Sequence, residues 1–130
     1  MACSLRAVNG APETSAENAF ELEPERVAEL HEQGAAELID VRQDYEHAAG
    51  HIANTRHVEI NSLTSQAESI PRDRMVVFYC RSGSRSGMAA EAFAQAGWDA
   101  HNLAGGLIAW VERGLPIEPS DGEVAGQRPV

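Results

Sequence analysis

A chain of 130 residues is long enough for one hydrophobic core, and too short for two domains of ordinary size. The apolar fraction of 43% and charged fraction of 23% are those of a globular protein, and no apolar run approaches the roughly 20 residues of a membrane-spanning helix. A net charge of −10, with all ten basic residues arginine, argues against nucleic acid and anionic membranes as partners.

The two ends of the chain differ in composition from its middle. Residues 1–19 and 119–130 are small and polar, which predicts a flexible arm and a flexible tail around one compact domain over residues 20–118. The N-terminus lacks the basic start and apolar stretch of a signal peptide, so we expect a cytoplasmic protein. Cys3 lies in the arm, where it could act as a resolving thiol but is more simply an exposed residue.

Predicted helices and strands alternate through residues 20–118. The first is a helix over 20–35, with Pro24 near its start and Gly34 at its end. The others, in chain order, are a strand over 36–41, a short helix over 43–50, a weak strand over 56–61, a helical stretch over 63–70, a strand over 74–79, a helix over 85–96, a strand over 99–103 and a final helix that turns Ile108 and Trp110 inward. This alternation predicts an α/β fold with a mostly parallel sheet, in which ligands bind beyond the carboxyl ends of the strands.

The segment "CRSGSRS" (80–86) follows the strongest predicted strand and precedes a predicted helix. At such a place the unpaired N–H groups of the first helical turn and the positive end of the helix dipole face the loop. Glycines and serines let these amides converge, so the loop can hold an anion, and Arg81 and Arg85 would add to this effect. A thiolate at Cys80 would be stabilised there as a nucleophile.

Other interpretations of this segment remain open at this point. Cys80 could be an inert apolar residue that ends a buried strand, although such cysteines seldom precede a loop of this composition. The loop chemistry by itself also suits phosphoryl transfer and arsenate reduction as well as sulfur transfer.

Three segments together resemble the single-domain rhodaneses, or thiosulfate sulfurtransferases, across roughly residues 20–118. They are "LIDVRQDYEHAAGHIANTRHV" (38–58), the loop "CRSGSRS", and "NLAGGLIAWVERGLPI" (102–117). The resemblance implies an α/β, three-layer rhodanese-like domain with a small, mostly parallel sheet flanked by helices on both faces. Asn54, Thr55 and Glu59 depart from the family pattern, but these positions lie outside the loop.

By this resemblance, Cys80 attacks the outer sulfur of thiosulfate, releases sulfite and carries the sulfur as a persulfide until cyanide or a thiol takes it. The persulfide or substrate would be held by loop residues Arg81, Ser82, Gly83, Ser84, Arg85 and Ser86. The partners implied are a small sulfur donor and a thiol or cyanide acceptor, with a protein acceptor as an option. No metal or organic cofactor is implied.

The length of the loop distinguishes the sulfurtransferase hypothesis from the phosphatase and arsenate reductase hypotheses. Four residues separate Cys80 from Arg85, as in rhodaneses, whereas phosphatases and arsenate reductases with the same fold have one residue more. A non-catalytic sulfur-carrier or interaction module is the alternative from another functional class, and the complete loop disfavours a pure binding role.

Charged residues outside the loop complete the predicted site. The resemblance places Asp40 and Arg42 in a charge network that braces the loop, and Glu46 is spaced to pair with Arg42 on the short helix. We expect a substrate-binding role for Arg81, and for Arg85 either substrate binding or attachment of the loop to carboxylates.

Histidines cluster in the first of the three segments. His47, His51 and His57 invite a metal interpretation, but they lack a defined third ligand position, so no metal site is predicted. His51 matches a histidine that is structural in the family.

Overall fold

The computed structural model describes residues 19–126, so Cys3 lies outside the described part of the chain. Its elements are β1 (Glu21–Leu22), α1 (Pro24–Glu32), β2 (Ala36–Asp40), α2 (Asp44–Ala49), β3 (Arg56–His57), two 3₁₀ turns (Ile60–Ser62 and Ala67–Ser69), β4 (Met75–Tyr79), α3 (Ser84–Gln95), β5 (Ala100–Leu103) and α4 (Gly106–Glu112). None of the helices in this range is both long enough and apolar enough to cross a membrane.

The strands form one parallel sheet in the order β1-β5-β4-β2-β3. β4 lies at the centre, and its five residues carry no charge, as expected for a strand covered on both faces. Asp40 is opposite Tyr79 in the register of β2 and β4. The chain therefore leaves both strands at the same carboxyl edge, and this brings residues 40–42 near Cys80.

Side chains that alternate along β4 fill two cores. Val76 and Phe78 point to one face, where Phe93 and Trp98 pack, while Val77 and Tyr79 point to the other, which α1 and α4 cover. Phe78 and Phe93 have ring centroids 5.1 Å apart, and Phe93 meets Trp98 edge-on at 4.8 Å. Helices thus cover both faces of the sheet, which confirms the predicted three-layer α/β architecture.

Several predicted elements differ from those observed. The first helix begins at Pro24 rather than residue 20, because the preceding residues form β1 and the carbonyl of Phe20 accepts from the N–H of Asn102. Residues 63–70 form turns with one 3₁₀ segment, since the hydroxyls of Ser65 and Ser69 donate to nearby backbone carbonyls and compete with α-helical bonding.

Two further differences concern shorter elements. The weak strand over 56–61 extends only over Arg56–His57. In α4, Gly106, Leu107 and Trp110 are the buried residues, and Ile108 is only half-buried.

Residues 119–126, which fall within the predicted flexible tail, lie against α2. The N–H of Glu123 donates to the carbonyl of Ala49 at 2.9 Å, and the Tyr45 hydroxyl donates to the carbonyl of Gly126 at 2.7 Å. The flexibility of the tail and arm stays a prediction.

Candidate active site

Cys80 directly follows the last residue of β4 and is fully buried, with its sulfur inside the loop that leads into α3. Its Sγ accepts the N–H of Gly83 at 3.1 Å, and the N–H and hydroxyl of Ser86 lie 3.5 and 3.4 Å away. Gly83 has φ +100°, a left-handed conformation that turns the chain so that these donors face inward. The twelve-residue helix α3 also directs its positive end at the sulfur.

The N-terminus of α4 braces the same loop from the other side. The N–H groups of Leu107 and Ile108 donate to the carbonyls of Cys80 and Arg81 at 2.8 and 3.0 Å. Gly106 has φ +63°, and a Cβ there would lie 2.5 Å from the Arg81 carbonyl oxygen. A glycine is therefore required at this point for α4 to approach the loop.

Arg85 is held by a carboxylate rather than left free. Its Nη1 and Nη2 donate to the two oxygens of Glu46 at 3.0 Å each, and Glu46 is fully buried. Burial raises the pKa of Glu46, but the Arg85 hydrogen bonds and the other polar contacts outweigh it and leave that pKa below its usual range. The same bonds raise the pKa of Arg85.

A second buried pair lies beside the first. Nε and Nη2 of Arg42 donate to the carboxylate of Asp40 at 2.8 and 2.7 Å, and Nη2 also donates to the carbonyl of Gly50 at 2.8 Å. Burial raises the pKa of Asp40, but Arg42, together with a bond to His47 at 2.9 Å, leaves it lowered.

The observed pairing differs from the spacing-based prediction that Glu46 would pair with Arg42. Arg42 precedes the first residue of α2, so the two residues are not neighbours on one helical turn, and Arg42 turns back to Asp40 instead. Asp40 therefore bonds to Arg42, while Glu46 is the carboxylate that contacts the loop, through Arg85.

The remaining loop side chains have different surroundings. Ser82 and Ser84 are exposed, and their hydroxyl oxygens lie 3.4 Å from each other. Arg81 is half-buried, and its Nε is buried with no hydrogen-bond partner within residues 19–126. Arg81 is thus the loop cation that no carboxylate of this range neutralises.

Two residues that support the loop were not predicted from the sequence. Asn102, which is 2% exposed, accepts the Ser86 hydroxyl at 2.6 Å through Oδ1 and donates from Nδ2 to the Gly83 carbonyl at 3.1 Å. Its Nδ2 also donates to Glu21 on β1. The available signal for Asn102 was its place in a predicted strand at the start of the "NLAGG" segment, and nothing local pointed to Glu21.

The three histidines stack instead of converging on one point. The rings of His51 and His57 lie 3.8 and 4.3 Å from that of His47, centroid to centroid. Burial lowers the pKa of His47, against the raising effect of Asp40. Within residues 19–126, the donor atoms close enough to share an ion, all within 4.8 Å, belong to Asp44, His57 and Glu59.

A cleft of about 650 Å³ lies away from Cys80, between α1 and the segment after α4. It is mainly apolar and includes Ala28, Ile52 and Trp110, but no residue of the loop. Cys80 and its loop therefore lie at the carboxyl edge of the sheet and not in this cleft.

Comparisons with known proteins agree with this geometry. The sequence profile of the Rhodanese-like domain matches residues 23–113. A sulfurtransferase of Allochromatium vinosum is 41% identical over 86 residues, covering 65% of this chain and 80% of that protein. The thiosulfate sulfurtransferase GlpE of Pseudomonas aeruginosa PAO1 is 35% identical over 101 residues, covering 77% and 90%. A crystal structure of a rhodanese-related protein from Thermoplasma volcanium has a TM-score of 0.71 and 28% identity, covering 76% and 97%.

Proposed function

This chain belongs to the rhodanese-like domain family, and on that basis we propose that it is a sulfurtransferase that carries sulfur as a persulfide on Cys80. The observation that carries the proposal is the position of Sγ, buried at the N-terminus of α3 and surrounded by the donors of Gly83 and Ser86. Such donors stabilise a negative charge on sulfur before and after the transfer.

The first half-reaction loads the cysteine. The Cys80 thiolate attacks the outer sulfur of thiosulfate, a new S–S bond forms to Sγ, and the S–S bond of thiosulfate breaks so that sulfite leaves with its electron pair. The negative charge then lies on the terminal sulfur, within reach of the loop amides. Thiosulfate as the donor is supported by the similarity to GlpE proteins, which carry thiosulfate in their name.

The second half-reaction unloads the cysteine. Cyanide attacks the terminal sulfur, thiocyanate forms, and the electron pair of the broken S–S bond returns to Cys80 as thiolate. A thiolate acceptor, small or on a protein, reacts in the same way and leaves as a persulfide. Electrons balance in both steps, so no external oxidant or reductant is needed.

The arginines have separate roles in this proposal. Arg85, fixed by Glu46, keeps the loop in shape, and the unpaired Arg81 binds the sulfonate end of thiosulfate. Asp40 holds Arg42, which donates to the Gly50 carbonyl at the end of α2, the helix that carries Glu46.

Formation of thiocyanate from thiosulfate and cyanide tests the proposal. We expect turnover that follows ping-pong kinetics and falls about a thousandfold or more in Cys80→Ser, because the nucleophile is lost. Cys3→Ser, which removes the other cysteine, serves as the matched control and keeps its activity. Turnover of a phosphate ester without any thiocyanate formation would instead support the phosphatase hypothesis, and neither activity would support a binding module.

A further inference from the structure

A chain of hydrogen bonds runs from the edge of the sheet to the nucleophile. The register of β1 and β5 pairs Glu21 with Asn102, and the Asn102 Nδ2 donates to both Glu21 oxygens at 3.0 and 3.1 Å. Asn102 Oδ1 accepts the Ser86 hydroxyl at 2.6 Å, and the same hydroxyl oxygen lies 3.4 Å from the sulfur of Cys80.

The orientation of the Asn102 amide follows from its neighbours. Nδ2 faces three acceptor oxygens, two from Glu21 and one from Gly83, whereas Oδ1 faces a hydroxyl donor. The reversed amide would place its oxygen against a carboxylate and a carbonyl, and would leave the NH₂ without these acceptors. Glu21 and the Gly83 carbonyl together therefore fix which end of the amide meets Ser86.

Ser86 has one hydroxyl proton and two neighbours that can accept it. The 2.6 Å distance to Asn102 is that of a strong bond, and the 3.4 Å distance to sulfur is long for one. A neutral thiol is a weak acceptor, so the proton lies toward Asn102 while Cys80 is a thiol. A thiolate or persulfide is a charged acceptor and competes for the same proton.

We propose that Asn102 is a positioning residue that holds the Ser86 hydroxyl proton away from sulfur until the sulfur is charged, with Glu21 and the Gly83 carbonyl fixing the orientation of the Asn102 amide. A charged sulfur can accept the Ser86 hydroxyl only if that hydroxyl gives up its bond to Asn102. Asn102 therefore favours the thiol form of the resting enzyme. The relevance of Asn102 to sulfur transfer rests on the proposed function, whereas the effect of Asn102 on the resting thiol does not.

A double-mutant cycle between Asn102→Leu and Ser86→Ala tests the proposal, with every protein in a Cys3→Ser background. The ultraviolet absorbance of the Cys80 thiolate is titrated in each, with the matching Cys80→Ser protein subtracted to remove tyrosine. Asn102→Leu releases the hydroxyl to sulfur, so we expect the pH midpoint of thiolate formation to fall by about 0.5, one weak hydrogen bond in size. In the Ser86→Ala background the same substitution leaves the midpoint unchanged.

Equal shifts in both backgrounds, or no fall in the midpoint, would overturn the proposal, because Asn102 would then brace the loop without acting through Ser86. If Asn102→Leu does not fold, Asn102→Ala, which removes the same amide with a smaller side chain, takes its place in the cycle and decides by the same criterion. The absorbance titration needs no sulfur donor. Failure of thiocyanate formation would therefore contradict the proposed function and leave the titration result intact.

Discussion

Glu46 is the buried carboxylate that contacts the loop around Cys80. Its side chain is fully buried, and both carboxylate oxygens accept from Arg85, 39 residues away in the chain. A carboxylate in this position is stable only with its partner, since an unpaired buried charge is costly. The position of Arg85, and with it the shape of the loop, therefore depends on Glu46.

Replacement of Glu46 by glutamine tests this dependence. Glu46→Gln keeps the size of the side chain but removes its charge, so we expect the free energy of unfolding to fall by about 2 kcal/mol, the size of a charged hydrogen bond. Glu112→Gln, which makes the same change at an exposed position of α4, is the control and changes it little. Urea denaturation measures both, and an equal loss in the two variants would contradict the assignment.

Arg81 is predicted to bind substrate, since no carboxylate neutralises it within residues 19–126. We expect Arg81→Gln to raise the KM for thiosulfate at least about tenfold with a smaller change in kcat, because it removes a charge-assisted contact to the bound anion. Arg74→Gln is the control, with the same loss of charge at an exposed residue next to the other end of β4. Steady-state kinetics separate the two constants, and an unchanged KM would refute the role.

At the scale of elements, the approach of α4 to the loop is the contact that fixes Cys80 from behind. Gly106 makes this approach feasible, because a side chain there would meet the carbonyls of Cys80 and Arg81 at 2.7 and 2.5 Å. The Gly105–Gly106 pair has positive φ at both residues, +76° and +63°. The pair thus has a geometric function that its presence in a signature did not reveal.

Gly106→Ala and Gly34→Ala form a matched pair for this contact. Both residues have positive φ, but a Cβ at Gly34 meets nothing within 4 Å. We expect Gly34→Ala to lower the free energy of unfolding by about 1 kcal/mol, from backbone strain alone, and Gly106→Ala by about 3 kcal/mol, because the added methyl displaces the loop. Thermal denaturation with the thiocyanate assay checks both, and equal losses with full activity in both variants would argue against the bracing role.

Local patterns predicted the elements whose signals are strong, and missed those set by distant contacts. β4 is a run of apolar and β-branched residues, and α3 has a helix-forming composition, so both were predictable. β1 is only two residues long and exists because β5 lies beside it, so nothing in its own sequence distinguishes it from the start of α1. Residues 63–70 were misassigned because serine hydroxyls compete for the backbone there.

At the scale of the whole molecule, the candidate site also combines parts with a local sequence signal and parts set by contacts between distant residues. Cys80 and its loop are contiguous in sequence and could be proposed from it as a candidate site, because a strand, glycines and a helix start determine their geometry together. The pairs that support the loop join residues far apart in the chain: Glu46 and Arg85 are 39 positions apart, and Glu21 and Asn102 are 81 positions apart. Such pairings depend on strand order and helix placement, which local composition does not encode.

Three buried or half-buried groups make the whole domain less stable as the pH falls. Asp40 and Glu46 have lowered pKa values when folded, so their stabilising contribution is present above the unfolded pKa of about 4 and is lost as the pH falls through the folded pKa. Burial lowers the pKa of His47, so the folded state favours its neutral form. Its protonation therefore costs stability as the pH falls from about 6.5 toward the folded pKa.

We expect the free energy of unfolding to decline on acidification in two stages, the first below about pH 6.5 from His47 and the second from the carboxylates. His47 faces Asp40, His51 and His57, and His47→Gln removes its titration, so the variant should show a flatter profile between pH 6.5 and 5. Urea denaturation across this range measures the profile. An identical slope in the two proteins would show that His47 is not the group responsible.

Intact-protein mass spectrometry after thiosulfate treatment tests the central claim, that Cys80 carries the transferred sulfur. We expect a mass gain of one sulfur atom in the parent protein and in Cys3→Ser, loss of that gain on addition of cyanide, and no gain in Cys80→Ser. A folded, reduced parent that gains no sulfur from thiosulfate or from a persulfide donor, or a gain that persists in Cys80→Ser, would contradict the claim.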